Sequence, residues 1–456
     1  MTSVSAAADA AKELAGTFSG QLLQPGDAGY DDARRVHNGL VDKRPTLIAR
    51  CRGVADVVDA VKLGRDLGLE IAIRGGGHNV AGRATVDNGL MIDLAPMKGI
   101  HVDPNRNTVR AHGGVTWAEL NRETQLHGLA VTGGVVSTTG IAGLTLGGGL
   151  GWLMSKYGLA LDNLQSVALV TAAGEVLQVS RDENPDLFWA VRGGGGNFGV
   201  ATSFEYRLHP VGPMVTGGLI AYPFEHARDV LRYFRDRTAS LPDEQTVFAG
   251  LIHGPDGAKL AAMVTCHCGT PAEGEAAMRP LKDFGSPVLD TLGAIPYSQL
   301  NGMLDAGYPK GALNYWKSSF LAQLSDDAID AMIESFARCP TPMGQLLIEH
   351  FHGAATRVGV GDTAFPLRAE GYNFLGLGQW MEPAVSDRCV AWVRQTYAAM
   401  APFVASARYV NYLDDDDVGD PVAAAYGPNY RRLQEVKTKY DPDNFFHMNQ
   451  NIRPLS

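Results

Sequence analysis

Apolar and polar positions alternate in two different ways along this chain, and the change between them falls near residue 210. In the first part, residues 45–49 form a short apolar run and residues 53–68 place Val54, Val57, Val58, Val61 and Leu67 at helical spacing. Residues 70–73 are apolar again, so the spacing predicts a β-α-β unit. Residues 163–208 predict a strand at 164–171, a turn at Ala172-Ala173-Gly174, a strand at 176–179, a helix at 185–191 and a strand at 199–208. Beyond the break at His209-Pro210-Val211-Gly212-Pro213, long two-residue alternations at 214–222, 245–252, 258–267, 345–353 and 372–380 predict strands. Amphipathic helices are predicted near 226–238, 325–337 and 386–400. Strands followed by separate helices imply an antiparallel sheet with helices on one face.

The predicted strand at 70–73 delivers the chain into Arg74-Gly75-Gly76-Gly77-His78-Asn79-Val80-Ala81-Gly82. Glycine lets backbone N–H groups approach a phosphate closely, and the histidine puts one imidazole beside whatever that phosphate carries. Gly147-Gly148-Gly149-Leu150-Gly151 and Arg192-Gly193-Gly194-Gly195-Gly196-Asn197 are two further glycine-rich turns next to apolar segments. Three such turns imply several backbone segments lying against one large ligand.

Composition narrows the class. A chain of 456 residues with 45% apolar and 19% charged residues is long enough for two globular domains. A net charge of −10 argues against nucleic acid or an anionic membrane as partner. No apolar run approaches the roughly 20 residues that a bilayer requires. The N-terminus lacks the pattern of an export signal, and five cysteines, an odd and sparse set, suit reduced thiols in the cytoplasm. In Cys266-His267-Cys268, strand alternation puts the two thiols on one face and the imidazole on the other, and no second pair completes a metal site. The acid run Asp414–Asp417 lacks calcium-loop spacing and reads as a solvated loop. No metal is expected. A nicotinamide Rossmann site is excluded, because no glycine fingerprint sits on a first β-α turn with an acid about 20 residues later.

Six segments carry a resemblance: RGGGHNVAG at 74–82, TTGIAGLTLGGGLGW at 138–152, GLALDNL at 158–164, DLFWAVRGGGGNFGV at 186–200, TAFPLR at 363–368 and YDPDNFFHMNQNI at 440–452. In order and spacing they resemble the FAD-linked oxidases of the vanillyl-alcohol oxidase fold, and within it the berberine bridge enzyme-like group. The resemblance implies an α+β protein. Its FAD-binding domain would be in two parts, residues 1–210 and a returning segment 419–456. A helix-covered antiparallel sheet, residues 211–418, would be inserted as the substrate domain.

The same resemblance implies the site. His78 matches the histidine that the family bonds to the 8α-methyl carbon of the flavin, a reaction that needs a neutral imidazole. Many relatives add a cysteine tether at the position of Val136, which has no nucleophile, so a single attachment is expected. FAD contacts are expected from Arg74, Gly75, Gly76, Gly77, Asn79 and Gly82, from Thr138, Thr139, Gly140 and Gly143, from Asn197, Gly199 and Val200, and from Asn449 and Asn451. Thr139 matches a residue that gates oxygen at the flavin edge. Tyr412 matches a tyrosine placed over the flavin that could serve as base. The ionisable residue that some relatives carry after the TAFPLR segment is absent from Asn373–Leu377, and His350 and His352, two apart on one predicted strand, are candidate replacements. The expected activity is hydride transfer from a small organic substrate (alcohol, sugar, amine or polyketide-type) to flavin, with O2 as acceptor and H2O2 as product. An oxygenating flavoenzyme of secondary metabolism and a flavin-binding protein without turnover are the alternatives.

Overall fold

The computed structural model describes residue 9, residues 11–414, residue 416 and residues 420–455. Leu47–Arg50, Leu90–Asp93 and Ile71–Arg74 lie parallel, with Gln21–Leu23 antiparallel at the edge. The helix Val54–Asp66 makes the crossover, burying Val57, Ala60 and Val61 against Leu47, Ala49 and Ile71. A parallel sheet covered in this way is apolar on both faces, which is why these strands read as continuous apolar runs. A second, five-stranded antiparallel sheet runs Ile100–Asp103, Thr108–His112, Val200–Arg207, Leu164–Val170 and Val176–Ser180. Its first two strands escape the sequence pattern, being four and five residues long with charged or polar side chains at alternate positions.

From Met214 onward the strands join one antiparallel sheet, ordered Leu289–Asp290, Met214–Pro223, Lys259–His267, Gln245–His253, Gln345–Phe351, Gly371–Trp380 and Leu313–Leu321, with Gly293–Pro296 paired beside the second of these. The helices Ala227–Thr238, Asp326–Ala337 and Ser386–Met400 cover one face. Phe234, Met332 and Trp392 from these helices share a core with Leu251, Met263, Leu346, Ile348 and Phe374 from the sheet. The strand Leu313–Leu321 is absent from the sequence expectations because both its faces are buried, so its side chains show no clean alternation; even Lys317 is buried and pairs with Asp416. Asp416, which is exposed as the solvated-loop reading expects, also pairs with Arg394 and so belongs to a surface ion cluster, while Asp415 and Asp417 lie outside the described residues. The helix Pro271–Lys282 is also missing from those expectations, although Thr270 and Glu273 form its capping box. Cys266 and Cys268 sit in an apolar cluster between sheet and glycine turns, with the His267 ring on the other side of the strand accepting from the Gly269 N–H.

After the last sheet strand the chain returns to the first half. The helix Tyr430–Tyr440 packs on Pro185–Val191, and the fully buried Lys437 ammonium donates to the Asn197 and Phe446 carbonyls, at 2.7 and 2.9 Å, and to Asp441 at 2.6 Å. Burial lowers the Lys437 pKa against the opposing pull of Asp441. Removing one member leaves the other charge buried and unpaired, so Lys437→Ala is expected to cost about 3–5 kcal/mol. A denaturant midpoint unchanged from the parent would contradict that estimate.

Candidate active site

The uncovered face of the large sheet meets the glycine turns across a cavity of about 460 Å³. One wall carries Gly75, Gly76, Gly77, His78, Gly140 and Gly195; the other carries Phe248, Gly250, Leu347, Glu349, Leu375 and Leu377. A second space of about 700 Å³ continues beyond it, and the two share His37, Gly75, Gly76, His78 and Tyr308. Two adjoining spaces of this size, bordered by backbone, suit a dinucleotide. The glycines are needed sterically. A Cβ on Gly76 would stand 2.3 Å from the Gly140 nitrogen, and one on Gly140 would stand 2.4 Å from the Gly76 nitrogen. Two turns therefore cross in backbone contact beside the cavity, with Gly77 at φ +72, a conformation that other residues rarely adopt.

His78 stands at the junction of the two spaces. Thr138 Oγ1 lies 3.0 Å from its Nε2 and Thr139 Oγ1 lies 3.3 Å from its Nδ1. The His37 ring stacks on it with centroids 3.9 Å apart. Burial, reinforced by His37 and Lys310, lowers the His78 pKa to about 3, so its imidazole is neutral through the physiological range. Val136 lines the same cavity.

Glu349 was missed by sequence reasoning. It is 4% exposed, opposite Phe248 and Asn373 in the sheet, and it is the one carboxylate among the described residues lining the cavity. Asn373 Nδ2 donates to its Oε2 at 2.6 Å, and the Tyr412 hydroxyl donates to its Oε1 at 3.1 Å. Burial raises its pKa to about 7, against the lowering effect of both donors. The carboxyl group therefore exchanges a proton near neutral pH, as a general base must.

Several expectations are corrected. His350 and His352 do share one face, with rings stacked at 4.5 Å, but it is the face turned away from the cavity. His350 packs on Tyr372, and His352 lies near Ser155 and the Pro242 carbonyl. Side chains alternate across a strand, so Glu349 faces the cavity because His350 does not. Tyr412 does line the cavity, from a short 3₁₀ turn Val410–Tyr412, but burial and the neighbouring Glu349 push its pKa well above the ordinary tyrosine value. Its hydroxyl donates to the acid. Arg74 lines the second space, as expected of a cofactor contact, while its guanidinium donates to Asp93 and to the Arg35 carbonyl. Gly82 packs on Val41, Gly199 packs on Leu169 and Val170, and Val200 is buried in the core beneath the parallel sheet. These three support the turns from behind.

Other expected residues meet the cavities. Asn79, Thr139, Gly140, Gly143, Asn197 and Asn449 line the first, and Thr138 lines the second. Asn197 also holds the tail, donating to the Gln450 carbonyl at 3.0 Å and accepting from the Ile452 N–H at 3.1 Å. Asn451 lies behind this clip, outside the lining of either space.

Comparison with known proteins agrees with this architecture. Residues 45–180 match the family described as FAD binding domain, and residues 408–453 match the family described as berberine and berberine like. An FAD-linked oxidoreductase of Dictyostelium discoideum is 31% identical over 449 residues, covering 97% of this chain and 96% of that one. The (R)-6-hydroxynicotine oxidase of Paenarthrobacter nicotinovorans is 32% identical, covering 96% of this chain and 97% of its own. The crystal structure of 6-hydroxy-D-nicotine oxidase from Arthrobacter nicotinovorans superposes with a TM-score of 0.88 at 31% identity, over 96% of this chain and 99% of that one. Fold and site thus define a flavin-dependent oxidoreductase. The chain belongs to the berberine-like FAD-linked oxidoreductases.

Proposed function

We propose that the protein is an FAD oxidase that removes a hydride and a proton from a small organic substrate, with the flavin bonded through His78 alone and O2 as the acceptor. The observation that carries this reading is the placement of His78 and Glu349 on opposite walls of one cavity. Bound FAD supplies the acceptor for two electrons from a substrate C–H bond, and O2 restores it with release of H2O2. The glycine turns would hold the dinucleotide by backbone contacts, and Asn79 and Asn449 offer amides along the same wall. Glu349 takes the proton from a substrate N–H or O–H, while Tyr412 and Asn373 fix its carboxylate. Apolar side chains around it exclude water, which strengthens these interactions. The presence of a buried acid removes the motive for a protein without turnover.

The boundaries near 210 and 418 are part of this reading, the first supported by the change of sheet at Met214; the second lies outside the described residues. A cytoplasmic location is proposed on the free cysteines, and among the described residues no helix is long and apolar enough to cross a membrane. The test of the function is direct. Purified protein should show a flavin spectrum, bleach on anaerobic photoreduction, and recover in air with one peroxide per flavin. A reduced flavin that persists in air, or isotopic O2 incorporated into an organic product, would exclude a simple oxidase. Val136 adds a second expectation: peptide mapping finds flavin on the His78 peptide and on no cysteine peptide. A flavin-bearing peptide containing Cys51, Cys266, Cys268, Cys339 or Cys389 would overturn single attachment.

A further inference from the structure

The groups that hold the His78 ring are themselves tied to one short segment of the chain beyond Met214. Residues 303–312 connect the helix Tyr297–Gly302 to the strand Leu313–Leu321 and run along both spaces. Met303 and Leu304 line the first, Pro309 and Lys310 line the second, and Tyr308 lines both. This strap is fastened to the large sheet, where the Tyr308 hydroxyl donates to Gln345 Oε1 and Gln379 Nε2 donates to the Gly307 carbonyl, each at 2.9 Å.

Its remaining bonds cross to the glycine-turn half. Asn301, at the end of the helix that leads into the strap, donates to the Gly134 carbonyl at 2.7 Å and accepts from Asn121 at 2.9 Å. Asp305 grips Ser137 twice, its Oδ1 accepting from the Ser137 N–H at 2.7 Å and its Oδ2 from the Ser137 hydroxyl at 2.5 Å. The Gly311 N–H donates to the His37 carbonyl at 2.9 Å. Ser137 immediately precedes Thr138 and Thr139, whose hydroxyls meet the two nitrogens of His78, and His37 is the ring stacked on it. The inner side of the same turn is held by backbone, the Trp117 and Ala118 N–H groups donating to the Thr139 and Ser137 carbonyls. Asp305 holds the outer side, with two bonds to a carboxylate, a class about twice as strong as neutral hydrogen bonds.

We propose that Asp305 is a positioning residue for flavin attachment, the latch by which the strap from the large-sheet half completes the tether site. This rests on the reading that FAD is bonded through His78. Attachment forms a bond between a His78 ring nitrogen and the flavin methyl carbon. The imidazole N–H and one methyl hydrogen leave as protons, and two electrons pass to O2, giving H2O2. Such a step needs the reacting atoms about 3–3.5 Å apart, and a displacement on the order of 1 Å costs about 100-fold. Asp305 fixes the turn that carries both hydroxyls, and Gly311 fixes the stacked ring, so the aim of the imidazole depends on the strap.

The full-length protein is produced in cells starved of riboflavin, and FAD is added in air. Intact mass of denatured samples follows attachment with time, while flavin fluorescence measures native binding separately. Asp305→Ala is expected to bind FAD and to melt near the wild type, but to attach it about 10-fold or more slowly at saturating FAD. Asp305→Asn, whose amide accepts from the Ser137 N–H and donates to its hydroxyl, is expected to recover the rate to within several-fold. Ser137→Ala keeps the N–H bond and should fall between them. Ser137→Ala combined with Asp305→Ala should attach no more slowly than Asp305→Ala alone, because both act through one contact. A merely structural Asp305 would lower the melting temperature or FAD affinity and leave the saturating rate unchanged, which overturns the proposal. Slowing in the double variant that multiplies the two single effects overturns it as well. If Asp305→Ala does not fold, Ser137→Ala carries the test, and its attachment at the full rate is the overturning result. Wild-type protein that never gains the mass of FAD refutes attachment at His78 and this proposal with it, whereas normal attachment in both wild type and Asp305→Ala refutes the latch alone.

Discussion

Denatured protein is expected to stay yellow, with its polypeptide mass raised by one FAD, and His78→Ala is expected to release all of its flavin on acid precipitation. The reasoning begins with the imidazole. A nucleophilic ring must be neutral, and burial with His37 and Lys310 nearby holds the His78 pKa at about 3. It must also be held still, which the His37 stack and the hydroxyls of Thr138 and Thr139 accomplish. The crossing of Gly76 and Gly140 does not depend on the histidine, and the two spaces they border extend beyond it. His78→Ala should therefore keep most of its FAD in the native state while losing covalent attachment entirely. The measurement is the intact mass of the denatured protein beside the flavin absorbance of its acid supernatant. Free FAD in the supernatant of the wild type would refute attachment at His78.

The two halves of this prediction differ in how visible they were in the sequence. His78 and Gly75–Gly77 stood out because a turn that needs glycine at close backbone approach leaves a mark in one short segment. The crossover before them was equally plain, since the helix Val54–Asp66 and its flanking strands each keep one period. Tertiary registration leaves no such mark. In Gln345–Phe351, Leu346, Ile348 and Phe351 are fully buried and Leu347 lines the cavity, so apolar residues occupy both faces and alternation does not tell which one sees a ligand. His350 and His352 drew attention because an ordinary histidine titrates near neutrality. Burial takes them away from that range, lowering His350 to about 3, while the same cause lifts Glu349 into it. Knowing that Phe248 pairs with Glu349 would have been enough to choose the acid, but pairing between strands so distant along the chain is set by the folded sheet and not by either segment alone. The tail clip is another case: Asn197 and Lys437 look like ordinary polar residues until the closing helix lies against the glycine turn.

The second large effect belongs to Glu349. Glu349→Gln keeps the shape and a polar amide for its neighbours but removes the site's proton acceptor, so flavin reduction by substrate is expected to slow by about 100-fold or more. Its pH dependence identifies the group. The carboxylate is the active form and the pKa is raised to about 7, so the wild-type rate should climb about tenfold per pH unit below that value and level off above it. The variant should be slow and show no such rise. Tyr412→Phe separates the acid from its partner. The Tyr412 hydroxyl donates to the carboxylate and lowers its pKa, so losing that hydroxyl should move the inflection to higher pH while the plateau stays within several-fold of the wild type. If the tyrosine were itself the base, its pKa, already held well above the usual value by burial and by Glu349, would put the rise far above neutrality, and Tyr412→Phe would abolish reduction at every pH. Stopped-flow reduction of the three proteins between about pH 5 and 9, with flavin content measured beside it, discriminates these outcomes. A full rate in Glu349→Gln with the inflection still present would place the base elsewhere on the cavity wall.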